Sequence, residues 1–174
     1  MKPARVNPGT DAAISSFELE RFLPYRLSLL TNTVSDGIAE RYRDAWDISV
    51  TEWRILAVLG RYPGLTASEI IDRTAMDKVT ISRAVKNLAD RKLLQRVTDP
   101  ADRRRLRLHI TPGRGQELLN EVIPLARQYE SSLLQALDEK EQQALSRTLE
   151  KLQAKADSLK KPGRPPAGDQ QREP

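Results

Sequence analysis

The sequence contains no cysteine and a single histidine, His109. Without cysteine there can be no disulfide bridge, zinc–thiolate site, iron–sulfur cluster or thiol-based redox sensor. One histidine cannot supply a multi-histidine metal site, and the chain contains no glycine-rich phosphate loop, nucleophile motif or metal-ligand spacing. These absences argue against an enzyme, and we expect the protein to hold no metal and no cofactor.

Long apolar runs are also missing. The longest stretch without a charged residue, 27–35, has nine residues, whereas a membrane-spanning helix needs about 20. Lys2 and Arg5 are not followed by an apolar segment, so no secretory signal is predicted and we expect a cytoplasmic protein. The chain has 174 residues, of which 39% are hydrophobic and 30% charged, and this is enough for one domain with its own core.

Basic residues are concentrated in the middle of the chain. Residues 78–114 contain 11 basic and 3 acidic side chains, a net charge of +8, against +5 for the whole chain. The segments on either side are close to neutral. Such a block is typical of a surface that binds a polyanion, above all nucleic acid. The alternative is a charged face that contacts only solvent.

Helix-start signals and apolar periodicity predict a mainly helical chain. Helical structure is expected over 17–42: a helix opened by Ser15 is interrupted at Pro24, where a long helix restarts because proline suits a first turn. Three short helices follow, each preceded by a residue that can cap its first turn: Ser49, Thr66 and Asp77. The third short helix is expected over 78–92. Its apolar positions are Val79, Ala84, Val85 and Leu88.

After residue 93 the apolar period changes from helical to alternating, which predicts a β-hairpin. Its strands are expected over 94–98 and 105–110. Three residues of the second strand share one face: Leu106, Leu108 and Ile110. Two short helices, a tight turn and such a hairpin are the elements of a winged helix-turn-helix, expected here over about 48–111.

Two further helices and two irregular ends complete the prediction. Thr111, as an N-cap before Pro112, opens a helix that continues to about residue 137 and is bent at Pro124. Asp138 opens a last helix that ends near residue 159. We expect a flexible arm over 1–16 and a disordered tail over 160–174.

The third short helix and the hairpin carry the residues expected to contact DNA. The helix fits the major groove, where arginine can donate two hydrogen bonds to guanine, and the hairpin reaches the flanking backbone or minor groove. Asp102 is expected to orient one of the tip arginines through a charge-assisted hydrogen bond. The candidates are Lys78, Thr80, Ser82, Arg83 and Lys86 on the helix, and Arg103, Arg104 and Arg105 at the tip.

The same region resembles the MarR family of bacterial transcription regulators. The resemblance rests on Ser82-Arg83, on Asp102 to Arg104, and on Ile110-Thr111 with Gly113 and Gly115. It covers residues 17–159. Leu93-Leu94 stands where the family more often has Gly-Leu, so the turn into the wing can differ there. The implied fold class is mainly α with a small β-hairpin wing, a winged helix-turn-helix joined to helices that dimerise.

The resemblance implies a homodimer formed by the outer helices, 17–42 and 112–159, that binds double-stranded DNA at an inverted-repeat operator. Five leucines on the terminal helices support this, with ordinary packing within one chain as the alternative: Leu133, Leu137, Leu145, Leu149 and Leu152. A repressor is implied, with a winged-helix protein-interaction module that does not read DNA sequence as the competing interpretation. Gly163-Arg164-Pro165 resembles an AT-hook core, although plain disorder is the favoured interpretation of this tail.

Many members of the family respond to a small aromatic or anionic effector in a crevice between the dimer helices and the winged domain. The matching segments imply four candidate ligand-binding residues: Tyr25, Arg26, Trp46 and Trp53. For Trp53, core packing is the favoured alternative. Arg26 could neutralise a carboxylate or pair with an acidic side chain such as Glu18.

Overall fold

The computed structural model describes residues 17–159. Within them the chain forms a 3₁₀ turn, Leu19–Arg21, then six α-helices and one antiparallel hairpin. The helices are α1 (Leu23–Trp46), α2 (Val50–Arg61), α3 (Ala67–Thr74), α4 (Lys78–Asp90), α5 (Arg114–Leu134) and α6 (Glu139–Leu159). The strands β1 (Leu94–Thr98) and β2 (Leu106–Ile110) lie between α4 and α5. The fold is the mainly α winged helix that the sequence predicts.

The predicted arm over 1–16 and the predicted tail over 160–174, with Gly163-Arg164-Pro165, lie outside the described residues. None of the helices between residues 17 and 159 combines the length and the apolarity that a bilayer crossing requires.

The chain divides into two compact units, the first ending at Gly37 and the second beginning at Ile38. In the first unit the rings of Phe17 and Phe22 meet edge to face with their centroids 5.0 Å apart. Most large apolar side chains of its described part are exposed, and Val34 is half-buried. The second unit contains the hydrophobic core and the whole winged helix-turn-helix.

The short helices α2 and α3 begin where the sequence predicts because both capping boxes form. The Ser49 hydroxyl oxygen accepts from the Glu52 amide at 3.2 Å, and the Glu52 carboxylate accepts from the Ser49 amide at 2.8 Å. Thr66 and Glu69 make the same reciprocal pair, at 3.3 and 2.7 Å. Such side-chain bonds satisfy amide groups that a helix start otherwise leaves unpaired.

The bounds of the long helices differ from the prediction. The first was expected over 17–42, but α1 runs from Leu23 to Trp46, preceded by the 3₁₀ turn. The expected restart at Pro24 is confirmed to within one residue: Pro24 lies in the first turn of α1, where its missing N–H costs no hydrogen bond. α5 ends at Leu134, three residues before the predicted end, and contains Pro124 as predicted.

The start of α5 was also predicted wrongly. The helix begins at Arg114, not at Pro112. The Thr111 hydroxyl donates to the Lys92 carbonyl at 2.8 Å and accepts from the Gly115 amide at 3.0 Å. Thr111 thus ties the start of α5 to the turn that precedes the wing, and this long-range contact moves the first helical residue.

The hairpin places its apolar face against the helices. Its register pairs Leu94 with Ile110 and Arg96 with Leu108. Leu94 and Leu108 are buried and Ile110 is half-buried, whereas Leu106, at the outer end of the same face, is 48% exposed. The predicted apolar face of β2 is therefore confirmed, but its outer residue, Leu106, is not part of the core.

The turn from α4 into the wing depends on Lys92. Its φ of 58° lies in the left-handed region that glycine normally occupies after a helix. Leu93 and Leu94, expected to be the unusual positions of this turn, are buried and have no left-handed conformation. The left-handed residue of this turn is therefore Lys92, one position before Leu93.

Candidate nucleic-acid interface

Helix α4 presents one side to the core and the opposite side to solvent. Its buried residues are Ile81, Ala84, Val85 and Leu88. Val79 was predicted to be a core position, and this is wrong, because the side chain is 58% exposed. At about 100° per residue, Val79 points away from Ile81 and lies one turn before Arg83.

The five helix residues predicted to contact DNA are all accessible. Lys78, Ser82, Arg83 and Lys86 are exposed, and Thr80 is half-buried. The helix start is capped by Asp77, whose carboxylate accepts from the Thr80 amide at 2.9 Å, and these hydrogen bonds hold the pKa of Asp77 below its usual value.

Two contacts hold α4 in place. The Asn87 amide nitrogen donates to the carboxylate of Glu52, which is itself buried at the start of α2. The Arg91 guanidinium donates to the backbone carbonyls of Trp46 and Asp47 at the end of α1. Hydrogen bonds to charged groups contribute more than neutral ones, so these contacts anchor α4 to α1 and α2 beneath the side chains on its outer side.

The wing is fixed at its base by a buried carboxylate. Asp99, only 4% exposed, accepts from the Ala101 amide at 2.9 Å and from two nitrogens of Arg107 at 2.7 and 2.8 Å. The Ala101 hydrogen bond, followed by the Arg107 guanidinium, holds the pKa of Asp99 below its usual value. Arg107 also donates to the Gly64 carbonyl at 2.9 Å, so it joins the wing to the loop before α3.

The three tip arginines have different surroundings. Arg104 lies 3.1 Å from Asp102, which confirms that Asp102 orients one of them. The Arg105 guanidinium lies 3.8 Å from the Glu69 carboxylate on α3. Arg103 has no hydrogen-bond or ion-pair partner within residues 17–159, so its guanidinium is available to another molecule.

Three other cations of this face have no acidic partner in the described part of the chain: Lys78, Arg83 and Arg96. Lys86, in contrast, pairs with Asp90 at 2.9 Å. Arg96 was missed by the sequence analysis, although strand alternation puts it on the same side of the hairpin as Leu94. With Lys78 and Ser82 it lines a groove of about 560 Å³ between the helices and the wing.

A second cavity, of about 510 Å³, lies between the end of α2, strand β2 and α5. Its floor is apolar, with Leu119 and Ile123 from α5. Three nitrogen-rich side chains line it, Arg61, His109 and Arg127, and no acidic residue does. These residues lie far apart in the sequence. The sequence indicates only that His109 and Leu108 lie on opposite faces of β2, because the strand alternates.

The four predicted ligand residues do not line this cavity. Tyr25 and Arg26 belong to the first unit, where both are exposed. Trp46 donates from Nε1 to the Glu121 carboxylate at 2.6 Å. Trp53 packs against the core, with its ring centroid 5.9 Å from that of Tyr42, in agreement with the core-packing alternative.

Residues 46–105, which include most of this face, match the family model described as "MarR family". The chain is 36% identical over 85 residues to the HTH-type transcriptional repressor NicR of Pseudomonas putida, an alignment that covers 49% of this chain and 53% of NicR. It is 24% identical over 106 residues to the transcriptional regulator HosA of Escherichia coli, covering 61% of this chain and 78% of HosA. The chain thus spans about half the length of NicR.

Solved structures extend the likeness beyond the winged helix. A MarR/EmrR family regulator from Acinetobacter sp. ADP1 has a TM-score of 0.75 at 29% identity, covering 82% of this chain and 100% of that one. A MarR family regulator from Silicibacter pomeroyi has a TM-score of 0.68 at 25% identity, covering 81% and 94%. The family match over residues 46–105, the regulators among the relatives and these structures point the same way: the chain is similar to the MarR family of transcriptional regulators.

Proposed function

We propose that the protein is a transcriptional repressor that binds operator DNA as a homodimer. The observation that carries this proposal is the outer side of α4, where Lys78 and Arg83 have no acidic partner within the described chain. Arg103 and Arg104 extend the cationic surface to the wing. The name of the relative NicR, a repressor, supports the direction of regulation.

The residues of this face are expected to contact different groups of the DNA. Arg83 lies on the exposed side of α4, from which a guanidinium can donate two hydrogen bonds to a guanine edge in the major groove. Arg103 and Arg104, at the end of the hairpin, suit the phosphates or the narrow minor groove beside it. Arg104 also pairs with Asp102, but its side chain is 91% exposed at the tip. Arg107, Arg105 and Lys86 contribute less, because each pairs with a carboxylate and is less exposed than Arg104.

The proposed dimer uses the leucines of α6. No residue of α6 is buried, and Leu145, Leu149 and Leu152 are each about two-fifths exposed. Residues three and four apart lie on one side of a helix, so these leucines form a continuous apolar stripe. A two-fold dimer would present two copies of α4 to half-sites about one helical turn apart, hence to an inverted repeat.

Replacing Arg83 by alanine is expected to weaken operator binding by about 1–3 kcal/mol and to relax the preference at one base position. The operator is first selected from a random duplex library, and dissociation constants are then measured by fluorescence anisotropy on operator and random duplex. Lys86→Ala is the matched control one turn away. Because Lys86 already pairs with Asp90, Lys86→Ala should reduce the binding affinity only slightly, and equally on both duplexes.

The salt dependence of the same titration separates DNA readout from the competing function. Lys78, Arg96, Arg103 and Arg104 offer three to four phosphate contacts per protomer, which predicts a log–log slope of about −5 to −7 for a dimer. Specificity would appear as a higher binding constant for the operator than for the random duplex at every salt concentration. A slope near −1 would instead favour a protein-interaction module, and equal losses on both duplexes for Arg83→Ala would show that Arg83 does not read a base.

We further propose that a small aromatic carboxylate releases the repressor by binding in the 510 Å³ cavity. Two arginines and a histidine over an apolar floor, without an acidic residue, suit an anion with an apolar body. The cavity walls come from α2, the wing strand β2 and α5. A ligand there contacts both the DNA-binding domain and a helix that leads away from it.

Benzoate is expected to weaken operator binding by the wild-type protein, whereas uncharged benzamide should not, because only the carboxylate can pair with the cavity arginines. Arg127→Gln should remove the benzoate effect without changing operator affinity in its absence. Anisotropy competition measures both. If Arg26→Gln removed the effect and Arg127→Gln did not, the site predicted from Tyr25, Arg26, Trp46 and Trp53 would be the correct one.

A further inference from the structure

Helix α4, which is proposed to enter the major groove, carries an exposed apolar side chain on its outer side. Val79 is 58% exposed and lies on the same side of the helix as Arg83, one turn closer to the N-terminus. Burial does not explain a valine there, and helix propensity does not either, since valine is a weaker helix former than alanine, lysine or glutamine.

The surroundings of Val79 indicate what it contacts. Lys78 is its chain neighbour and Arg83 follows one turn later, and neither has an acidic partner within residues 17–159. Val79 is thus an exposed apolar group flanked by two cations that are available to another molecule. It suits the DNA major groove, where phosphates surround base edges and the thymine 5-methyl group offers an apolar contact.

We propose that Val79 reads the 5-methyl group of a thymine in each half-site. This rests on the proposed function, since it assumes that α4 enters the major groove. Four residues of helix span about 6 Å, and base pairs are stacked about 3.4 Å apart. The thymine therefore lies within about two base pairs of the guanine contacted by Arg83.

Replacing thymine by deoxyuridine tests this proposal, because it removes the methyl group and leaves every hydrogen-bonding group of the base unchanged. Each thymine of the selected operator is replaced in turn, symmetrically in both half-sites, and the full-length protein is titrated by anisotropy. At one position we expect binding to weaken about fourfold per half-site, the effect of one buried methyl group. Random duplex containing uracil should bind as before.

Two variants connect the effect to Val79. Val79→Ala should weaken binding to the thymine operator by a similar factor and should no longer distinguish thymine from uracil. Val79→Thr, which keeps one γ-methyl group, should retain part of the discrimination. Val79 is exposed, so neither variant should change the thermal unfolding temperature, and this is verified by circular dichroism.

The outcomes separate the proposal from the function on which it rests. If the protein prefers its operator but no thymine-to-uracil replacement matters, or if Val79→Ala keeps the full discrimination, the Val79 contact is wrong while repression through α4 stands. If the protein shows no preference for any duplex over random DNA, both proposals are overturned.

Discussion

Replacing Gly115 by alanine is expected to lower the free energy of unfolding by more than about 3 kcal/mol, the upper range for overpacking. A Cβ at this position would lie 2.2 Å from the Leu93 carbonyl oxygen and 2.8 Å from Ile110 Cγ2. The Leu93 carbonyl cannot retreat freely, because it accepts from the Thr111 amide at 3.2 Å. The start of α5 must therefore move away from the wing.

Gly60→Ala is the matched control, since this glycine also lies in a helix. Its Cβ would meet the Leu119 side chain at 3.1 Å, a flexible group that can shift. Alanine is favoured over glycine by about 1 kcal/mol in a helix interior, so the net change should stay within about 1 kcal/mol. Urea denaturation at constant m measures both variants. If Gly115→Ala were as stable as the wild-type protein, the close contact between Gly115 of α5 and the Leu93 carbonyl, in the turn between α4 and β1, would be wrong.

The double substitution Leu145→Glu and Leu149→Glu is expected to raise the dimer dissociation constant at least 100-fold. It places two carboxylates in the apolar stripe of α6, where an unpaired buried charge costs several kcal/mol. Deleting residues 139–174 should likewise give monomer or insoluble protein. Because two linked half-sites reinforce each other by about 10²–10⁴, operator affinity should fall by a comparable factor.

Ala154→Glu, on the opposite side of α6, is the control for the added charge and should leave the dimer intact. Sedimentation velocity gives the oligomeric state, and anisotropy gives operator affinity. A folded dimer of the truncated chain, or of the double variant, would show that the stripe is not the interface. The alternative interface would then be the exposed apolar residues of the first unit, such as Phe17 and Leu30.

Local patterns in the sequence were sufficient to predict the elements of the fold. The boxes Ser49–Glu52 and Thr66–Glu69 and the cap Asp77 join atoms only three residues apart, so their hydrogen bonds depend little on the rest of the chain. The same holds for the alternation that predicts the hairpin and for the Asp102–Arg104 pair at its tip. The accessibility of the α4 residues predicted to contact DNA then followed from helical periodicity.

Only the tertiary structure decided which cations are available and where the cavities lie. Arg107 is held by Asp99 and Gly64, the latter 43 residues away, while Arg103 has no partner in the described chain. Trp46 donates a hydrogen bond to Glu121, 75 residues away, and Arg61 and Arg127 line the same cavity. Neither periodicity nor capping carries such information, because these contacts form when separate helices and strands pack together. The basic middle of the chain was therefore evident from the sequence, and the division between arginines that hold the wing and arginines that are available to another molecule was not.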